Sequence, residues 1–261
     1  MTAAVGAAKR LWALDGATFT LDSGLLVLGA VGEVTIPVPT YLIEHERGLV
    51  LFDTGMVPEA AVDPEAVYGE LAEHIGIRFT EEQRVDRQIE ALGFRVTDVT
   101  HVIVSHAHFD HTGGLYLFPH AKFYIGGADL PYSFWPNPAA AAFFRRPDIE
   151  ATRAFDWNPL EGDHDLFGDG SITILAMPGH TPGNSSVLVR LPERTFVLTG
   201  DTVHLRSALT GTMPMGSDFN TRDSIASIRR LRHLADSHAA EVWIAHDPED
   251  WKDFSAPRCY E

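Results

Sequence analysis

The chain contains little cysteine, and this shortage limits its covalent and metal chemistry. Of its 261 residues, only Cys259 is a cysteine. A single thiol forms no intrachain disulfide, so the chain does not depend on an oxidising compartment. It also excludes a zinc site built from several thiolates. We therefore expect a cytoplasmic protein in which Cys259 is an incidental thiol.

Positive charge is scarce as well. Only three residues are lysine (Lys9, Lys122 and Lys252), and the formal net charge is −16. A protein that binds nucleic acid needs a basic surface that neutralises phosphates, and an anionic membrane selects the same charge. The composition therefore predicts neither a nucleic-acid partner nor a membrane partner.

Long apolar runs are also missing. The longest, such as Leu25–Val31, fall well short of the roughly 18 residues that a membrane span requires. The apolar stretch within residues 1–10 is too short for a secretory signal. At 45% apolar and 21% charged residues, the balance is that of an ordinary globular protein with a sizeable core.

The order of the predicted elements indicates one α/β domain. Residues 11–55 have the runs of a β-meander, with strands at Leu25–Val31, Thr40–Glu44 and Gly48–Phe52. Further strands are predicted at Thr100–Val104, Ala121–Ile125, Ser171–Ala176, Ser186–Leu191, Thr195–Thr199 and Glu241–Ala245. Strands followed by a helix, twice in succession, suggest two halves packed face to face in a single domain over residues 1–261.

Helix signals are fewer than strand signals. Thr80 and Gln83 have the spacing of a capping box, which predicts a helix from there to Gly93. A short helix is predicted to begin at Thr112–Leu115. Asn220 has the position of a second N-cap, and the helix after it has an apolar stripe at Ile225, Ile228, Leu231 and Leu234.

Residues 127–165 are rich in proline, phenylalanine and tryptophan. We interpret this segment as an insertion that covers the site, with a helix over roughly 139–154. Its aromatic side chains are candidates for core, pocket wall or dimer surface, and the last possibility makes a homodimer plausible. They are Phe134, Trp135, Phe143 and Phe144.

The most informative segment is Ser105–His111, which places three imidazoles and one carboxylate within six residues. Imidazole and carboxylate are ligands of zinc, iron and manganese. The segment directly follows the predicted strand Thr100–Val104, and open α/β sheets place their sites at the C-terminal ends of strands. The pattern therefore predicts a metal site at this sheet edge.

Three further signals follow apolar strands in the same way. His180 follows a run that ends at Met177, Asp201 follows one that ends at Thr199, and His246 follows one that ends at Ala245. Taken alone, a histidine after a strand is more often a hydrogen-bonded structural residue. The recurrence of this position along the chain is what favours a shared metal site.

These residues resemble the pattern of the metallo-β-lactamase superfamily, with His106-Ala107-His108-Phe109-Asp110-His111 followed by His180, Asp201 and His246. The resemblance implies a four-layer αβ/βα sandwich with two metal ions at one edge. It implies that His106, His108 and His180 hold one ion. Asp110, His111 and His246 would hold the other, and Asp201 would bridge the two ions.

The resemblance also implies that Asp53, in the turn Asp53-Thr54-Gly55, orients a ligand histidine. Two divalent cations are expected, with Zn²⁺ the first expectation. Iron, manganese and cobalt accept the same ligands, so the sequence leaves that choice open. Such a pair makes water a nucleophile at neutral pH without an activated serine or cysteine.

Within this superfamily, the chain is most similar to the N-acyl-homoserine lactone lactonases. The similarity runs from Leu51–Met56 through the histidine loop and Gly179–Gly183 to Ser227–Leu231 and His246. It implies a hydrolase that opens a small-molecule lactone, in quorum quenching. In that role Asp110 would transfer a proton, His204 would help to stabilise the oxyanion, and Phe109 and His204 would contact the substrate.

One position departs from the lactonase pattern. Those enzymes usually carry a tyrosine three residues after the bridging aspartate, and this chain has His204. Histidine also donates a hydrogen bond, but it is shorter and it titrates. The change leaves open a lactonase for another ring, such as a pyridoxolactone-type enzyme.

Other functions of the same scaffold are alternatives. One is hydrolysis of a different ester, thioester or phosphodiester by the same pair of metals. Another, of a different class, is a non-catalytic metal-binding protein. The complete set of ligand residues argues against the second.

Overall fold

Two β-sheets lie face to face in the computed structural model, which describes residues 6–255 and 259–261. Residues 1–5 and 256–258 of the predicted 1–261 unit lie outside the described residues. Apolar side chains from both sheets form the central core between them, with Tyr41, Val50 and Ile103 from one sheet and Ile174 and Val187 from the other. This burial accounts for the apolar runs that predict the strands.

The elements are numbered in chain order. The strands are β1 Arg10–Asp22, β2 Glu33–His45, β3 Gly48–Phe52, β4 Val99–Val104, β5 Lys122–Gly126, β6 Asp156–Leu160, β7 His164–Asp165, β8 Ile172–Ala176, β9 Ser185–Arg190, β10 Thr195–Leu198, β11 Glu241–Trp243 and β12 Cys259–Tyr260. The α-helices are α1 Pro64–Tyr68, α2 Glu70–His74, α3 Val85–Ala91, α4 Phe109–Thr112, α5 Asp129–Phe134, α6 Arg146–Glu150, α7 Arg206–Gly211, α8 Thr221–Ser237 and α9 Pro248–Phe254. No helix in the described part of the chain has both the length and the apolar character needed to cross a bilayer.

Both sheets are mixed. The first has the order β12-β1-β2-β3-β4-β5-β6, antiparallel up to β3 and parallel from β3 to β6. The second has the order β11-β10-β9-β8-β7, in which only β10 and β11 run parallel. In the parallel part of the first sheet, the segments that follow β3, β4 and β5 emerge at the same edge.

Helices cover the outer face of each sheet. Val85 and Ile89 of α3 pack on the outer side of the first sheet. Ile228 and Leu231 of α8 pack on the outer side of the second. The resulting helix–sheet–sheet–helix order confirms the four-layer αβ/βα sandwich that the sequence predicts.

The predicted strand Leu25–Val31 is wrong. These residues connect β1 to β2, and Leu25 belongs to a 3₁₀ turn at Ser23–Leu25. Gly29 and Gly32 have φ values of 84° and 100°, which end an extended run. The apolar composition has another cause, because Leu26 and Val27 are buried in a side cluster of the core.

The helix predicted over 139–154 is also wrong. The structure has a 3₁₀ turn at Ala141–Phe143, two extended residues and the short helix α6. Pro147 lies in the first turn of α6. Proline lacks the N–H that an interior position must donate, so a helix begins beside it rather than passing through it.

The capping pattern at Thr80 forms, but it does not open the predicted helix. The Gln83 side chain accepts a hydrogen bond from the Thr80 N–H at 3.0 Å. The turn that follows is a single 3₁₀ turn, Glu81–Gln83, and Arg84 returns to an extended conformation before α3 begins. The second predicted cap is confirmed, because the Asn220 side chain accepts from the N–H groups of Arg222 and Asp223 at the start of α8.

Candidate metal centre

Seven buried side chains converge where the two sheets meet at one edge. Each offers a nitrogen or a carboxylate oxygen, and within each of two groups these atoms lie within 4.8 Å of one another. The first group is His106, His108, His180 and Asp201, and the second is Asp110, His111 and His246. The structure thus brings together all the residues that the sequence predicts as ligands.

Four strand ends supply these side chains. The loop after β4 carries His106 and His108, and the single turn of α4 directly after it carries Asp110 and His111. The segments after β8, β10 and β11 carry the other three, which are His180, Asp201 and His246. The backbone next to Asp201 is closely packed, because a Cβ on Gly200 would lie only 2.9 Å from Ser105 Cβ. Gly200 has a φ of 50°, so glycine suits this position in both space and conformation.

Asp201 lies between the two groups, and each of its oxygens faces one of them. Its Oδ1 atom lies 3.3 Å from His111 Nε2 and 3.1 Å from His246 Nε2. Its Oδ2 atom lies 3.5 Å from His180 Nε2 and 3.7 Å from His106 Nε2. This is the arrangement that a carboxylate shared between two cations requires.

The hydrogen bonding of the imidazoles fits metal ions. His106 is fully buried, and its Nε2 atom has no hydrogen-bond partner among residues 6–255 and 259–261. The His108 Nδ1 and His180 Nε2 atoms face each other at 3.2 Å. A buried polar atom without a partner costs about 1–3 kcal/mol. A cation among these lone pairs removes that cost, and imidazole with carboxylate is a donor set that divalent metals accept.

The pKa values of the histidines at the centre are shifted in opposite directions. Burial and the neighbouring imidazoles hold the pKa of His106 well below its ordinary value, so this ring is neutral and ready to bind a metal. Burial also acts to lower the pKa of His111, but the carboxylates of Asp201, Asp110 and Asp53 outweigh it and raise that pKa well above its ordinary value. A cation in this group would therefore compete with a proton for His111.

Two outer contacts hold the second group. Asp53 Oδ2 lies 2.8 Å from His111 Nδ1, and Asp53 Oδ1 accepts from the Ser105 N–H at 2.7 Å. His246 Nδ1 lies 2.8 Å from the Pro37 carbonyl oxygen, to which it donates. Each contact leaves the Nε2 atom of its ring for the centre.

Two aspartates with buried side chains lie at the site but are absent from the sequence prediction. Asp129 accepts from the N–H groups of Ala107 and Gly183 at 2.8 and 2.7 Å, and so joins two of the ligand-bearing loops. Asp218 Oδ1 lies 3.1 Å from His180 Nδ1. Asp129 follows β5 at the same sheet edge, so the strand-end pattern could have found it. Asp218 follows no strand and has no such signal.

The centre forms one wall of a narrow cleft. His204 and Phe109, the two residues that the sequence predicts as substrate contacts, both line this cleft. His204 Nε2 lies 3.1 Å from Asp201 Oδ2, and the Phe109 ring packs between those of Phe19 and Tyr68. Most of the remaining lining is apolar and includes Leu21, Leu26, Ile36, Ile75, Phe143 and Met215.

The chain is similar to known proteins of one superfamily. The profile of the metallo-beta-lactamase superfamily matches residues 35–246. N-acyl homoserine lactonase AttM of Rhizobium radiobacter is 34% identical over 238 residues, which are 89% of this chain and 90% of that protein. The N-acyl homoserine lactonase of Bacillus cereus is 30% identical, over 84% of each chain.

Solved structures share the fold. An N-acyl homoserine lactone hydrolase with N-hexanoyl-L-homoserine bound at its catalytic metal centre has a TM-score of 0.83 at 24% identity, covering 95% of this chain and 97% of that one. The dizinc quorum-quenching lactonase AidC has a TM-score of 0.69 at 18% identity, covering 94% and 92%. The superfamily profile spans every residue of the two ligand groups, from His106 to His246. The chain belongs to the metallo-β-lactamase superfamily.

Proposed function

We propose that this protein is a metal-dependent hydrolase that opens a lactone ring, with N-acyl-homoserine lactones as its substrates. The observation that carries the proposal is the pair of buried ligand groups in the wall of an apolar cleft. The lactonase relatives, 34% identical over 89% of this chain, support the choice of substrate. In this function the protein degrades quorum signals.

Two divalent cations, with Zn²⁺ expected, belong to this function. His106, His108 and His180 would hold one cation, and Asp110, His111 and His246 would hold the other. Asp201 lies between the two groups and would be shared by both cations. When bound, such a pair polarises a carbonyl group and supplies a water-derived nucleophile at neutral pH.

Asp110 is the proton-transferring group of the proposal. Its carboxylate lines the cleft and lies 3.5 Å from His111 Nε2. Hydrolysis adds water across the acyl–oxygen bond of the ring, so one proton must reach the ring oxygen as it leaves. Asp110 accepts that proton from the water and delivers it to the new hydroxyl group.

His204 and Phe109 position the substrate. The His204 ring lies at the cleft wall, with Nε2 3.1 Å from Asp201 Oδ2. From this place it would donate a hydrogen bond to the substrate carbonyl oxygen as negative charge develops there. Phe109 supplies an apolar surface at the same wall. The apolar side chains of Phe19, Leu26 and Ile36 suit the acyl chain of the substrate. Each Å² of apolar surface that the acyl chain buries there stabilises the complex by about 25 cal/mol.

Location and assembly are further parts of the proposal. A single cysteine is consistent with a cytoplasmic enzyme. Only the part of the predicted insertion 127–165 that precedes β6 covers the site, because its end forms β6 and β7 of the two sheets. Ala140 and Phe143 from this part lie in the cleft wall. Trp135 is 89% exposed, which favours a homodimer surface there. Light scattering of the native protein and of Trp135→Ser tests the dimer.

A substrate panel tests the proposed function. The metal-loaded protein is given N-acyl-homoserine lactones of several chain lengths, a pyridoxolactone-type ring, a thioester and a phosphodiester, with acid release as the common readout. Asp201→Asn serves as the matched inactive control. Turnover of acyl-homoserine lactones alone, or in preference to the others, is the expected result.

Each alternative gives its own result in this panel. Preference for the other ring means that His204 selects a different lactone. Turnover of only the thioester or the phosphodiester contradicts lactone opening. Stoichiometric metal without turnover of any compound would indicate a non-catalytic metal-binding protein.

A further inference from the structure

The segment Met215–Asn220 joins the cleft to the metal centre. Met215 and Ser217 at its start line the cleft. At its other end, the Phe219 N–H donates to the His180 carbonyl oxygen at 3.0 Å. The same segment therefore forms part of the cleft wall and contacts the loop that carries His180.

Asp218 connects these two parts through one carboxylate. Its Oδ1 atom lies 3.1 Å from His180 Nδ1, and its Oδ2 atom accepts from the Met215 N–H at 3.0 Å. The side chain is only 3% exposed. A buried carboxylate with both oxygens used in this way holds the imidazole and the cleft wall in one fixed arrangement.

We propose that Asp218 is a positioning residue for the metal ion of the first group. By accepting the Nδ1–H of His180, it selects the tautomer whose Nε2 lone pair faces Asp201 and the other histidines of that group. By accepting the Met215 N–H, it links the position of that ring to the cleft wall. The expected effect of Asp218 on metal affinity depends only on the metal centre, whereas its expected effect on catalysis rests on the proposed function.

Asp53 and Asp218 contact histidines of different ligand groups. Asp53 directly follows β3 and holds His111 of the second group, whereas Asp218 holds His180 of the first. Each group thus has its own buried carboxylate. Asp218 bonds to Met215, which lines the cleft, whereas Asp53 bonds to Ser105 and His111, which do not.

Metal affinity is the direct test. Asp218→Ala and Asp218→Asn are prepared with Asp236→Asn as the matched control, because Asp236 is exposed on α8. A chromophoric chelator competes for Zn²⁺, and the electronic spectrum of the Co²⁺-substituted protein reports the ligands. In Asp218→Ala, we expect one of the two equivalents to bind about 10–100-fold more weakly, with an altered Co²⁺ spectrum. The other equivalent and the Asp236→Asn protein bind metal as the native protein does.

Kinetics give a second readout. For Asp218→Ala we expect KM for the lactone to rise together with the fall in kcat at saturating metal, since the Met215 wall loosens. Asp53→Ala at saturating metal is expected to change kcat with less effect on KM. An unchanged KM in Asp218→Ala, or an equal rise of KM in both variants, would remove the link between metal site and cleft.

The failure modes are separable. Native affinity for both equivalents and an unchanged Co²⁺ spectrum in a folded Asp218→Ala protein overturn the proposal. Should that variant not fold, the isosteric Asp218→Asn decides, with about tenfold weaker binding of one equivalent expected and native affinity as the contrary result. A native protein that binds two metals but opens no lactone contradicts the proposed function alone, because the affinity test of Asp218 still stands.

Discussion

The Nδ1 atom of His111 lies 2.8 Å from Oδ2 of Asp53, and both side chains are buried. Asp53 has a φ of 60°, which is uncommon for a residue with a side chain. Its other oxygen accepts the Ser105 N–H at the start of the histidine loop. The strained conformation therefore places one carboxylate where it can hold both a ring and the loop that carries it.

Asp53→Asn should weaken one metal equivalent. The amide keeps the size of the side chain but loses the charge that favours a donating His111 Nδ1. We expect about 10–100-fold weaker binding of one Zn²⁺ per chain, measured by competition with a chelator. Asp156→Asn, an exposed aspartate on β6, is the control and should bind as the native protein does. Unchanged affinity in Asp53→Asn would mean that the contact does not support the metal.

The sequence predicts the metal centre better than it predicts the chain around it. The strand ends at His106, His180, Asp201 and His246 are visible because each follows a buried apolar run. The role of Asp218 could not be predicted from the sequence, because its position depends on how a loop folds over His180. The fold-level failures have the same origin, since Leu26 and Val27 are buried by tertiary packing rather than by a strand.

The helices near the site show a second limit. The short helix expected at Thr112–Leu115 is displaced, because α4 occupies Phe109–Thr112 and a 3₁₀ turn follows at Leu115–Leu117. Four-residue helices carry little periodicity, and ligand positions rather than propensity fix α4. The long helix α8 has both a cap and an apolar stripe, and its prediction is confirmed.

His204→Phe should lower kcat for a lactone by about 100-fold, because the ring keeps its place at the wall but no longer donates a hydrogen bond. His204→Tyr restores a donor at the position where the lactonases usually carry tyrosine. We expect it to recover part of the lost kcat on N-acyl-homoserine lactones. Steady-state kinetics with the metal content of each variant measured in parallel provide the check. A Phe variant with native kcat would remove His204 from the reaction.

Asp110→Asn should cut turnover sharply, since an amide cannot carry a proton from water to the leaving oxygen. Asp110 is also a candidate ligand, so elemental analysis must accompany the kinetics. At matched metal content, we expect kcat to fall by about 100-fold or more. Full activity with both metals retained is the outcome that excludes the proton-transfer role.

Asp148 gives a pH-dependent prediction away from the metal centre. It is buried, pairs with Arg145, and has an Oδ2 atom without a hydrogen-bond partner in the described residues. Burial raises the pKa of Asp148 to about 7 from its usual value of 3.8. As pH rises between these values, the unfolded chain loses the proton while the folded chain keeps it, so the free energy of unfolding falls.

Asp148→Asn removes this dependence. Relative to the native protein, the variant should gain stability as pH rises from 4 towards 7, by about 3 kcal/mol at most. Denaturant unfolding of both proteins at several pH values, with metal in excess, measures the difference. Because both proteins carry the same metal centre, its own pH dependence cancels. A difference that stays constant, or moves the other way, would show that burial does not raise the pKa of Asp148.

Titration of the metal-free protein with Zn²⁺, with lactone opening followed at each addition, tests the central claim most directly. The proposed function predicts no ring opening without metal and a rise in activity that reaches its plateau at two equivalents per chain. Full activity in the metal-free protein, or no lactone opening at any loading, would contradict it.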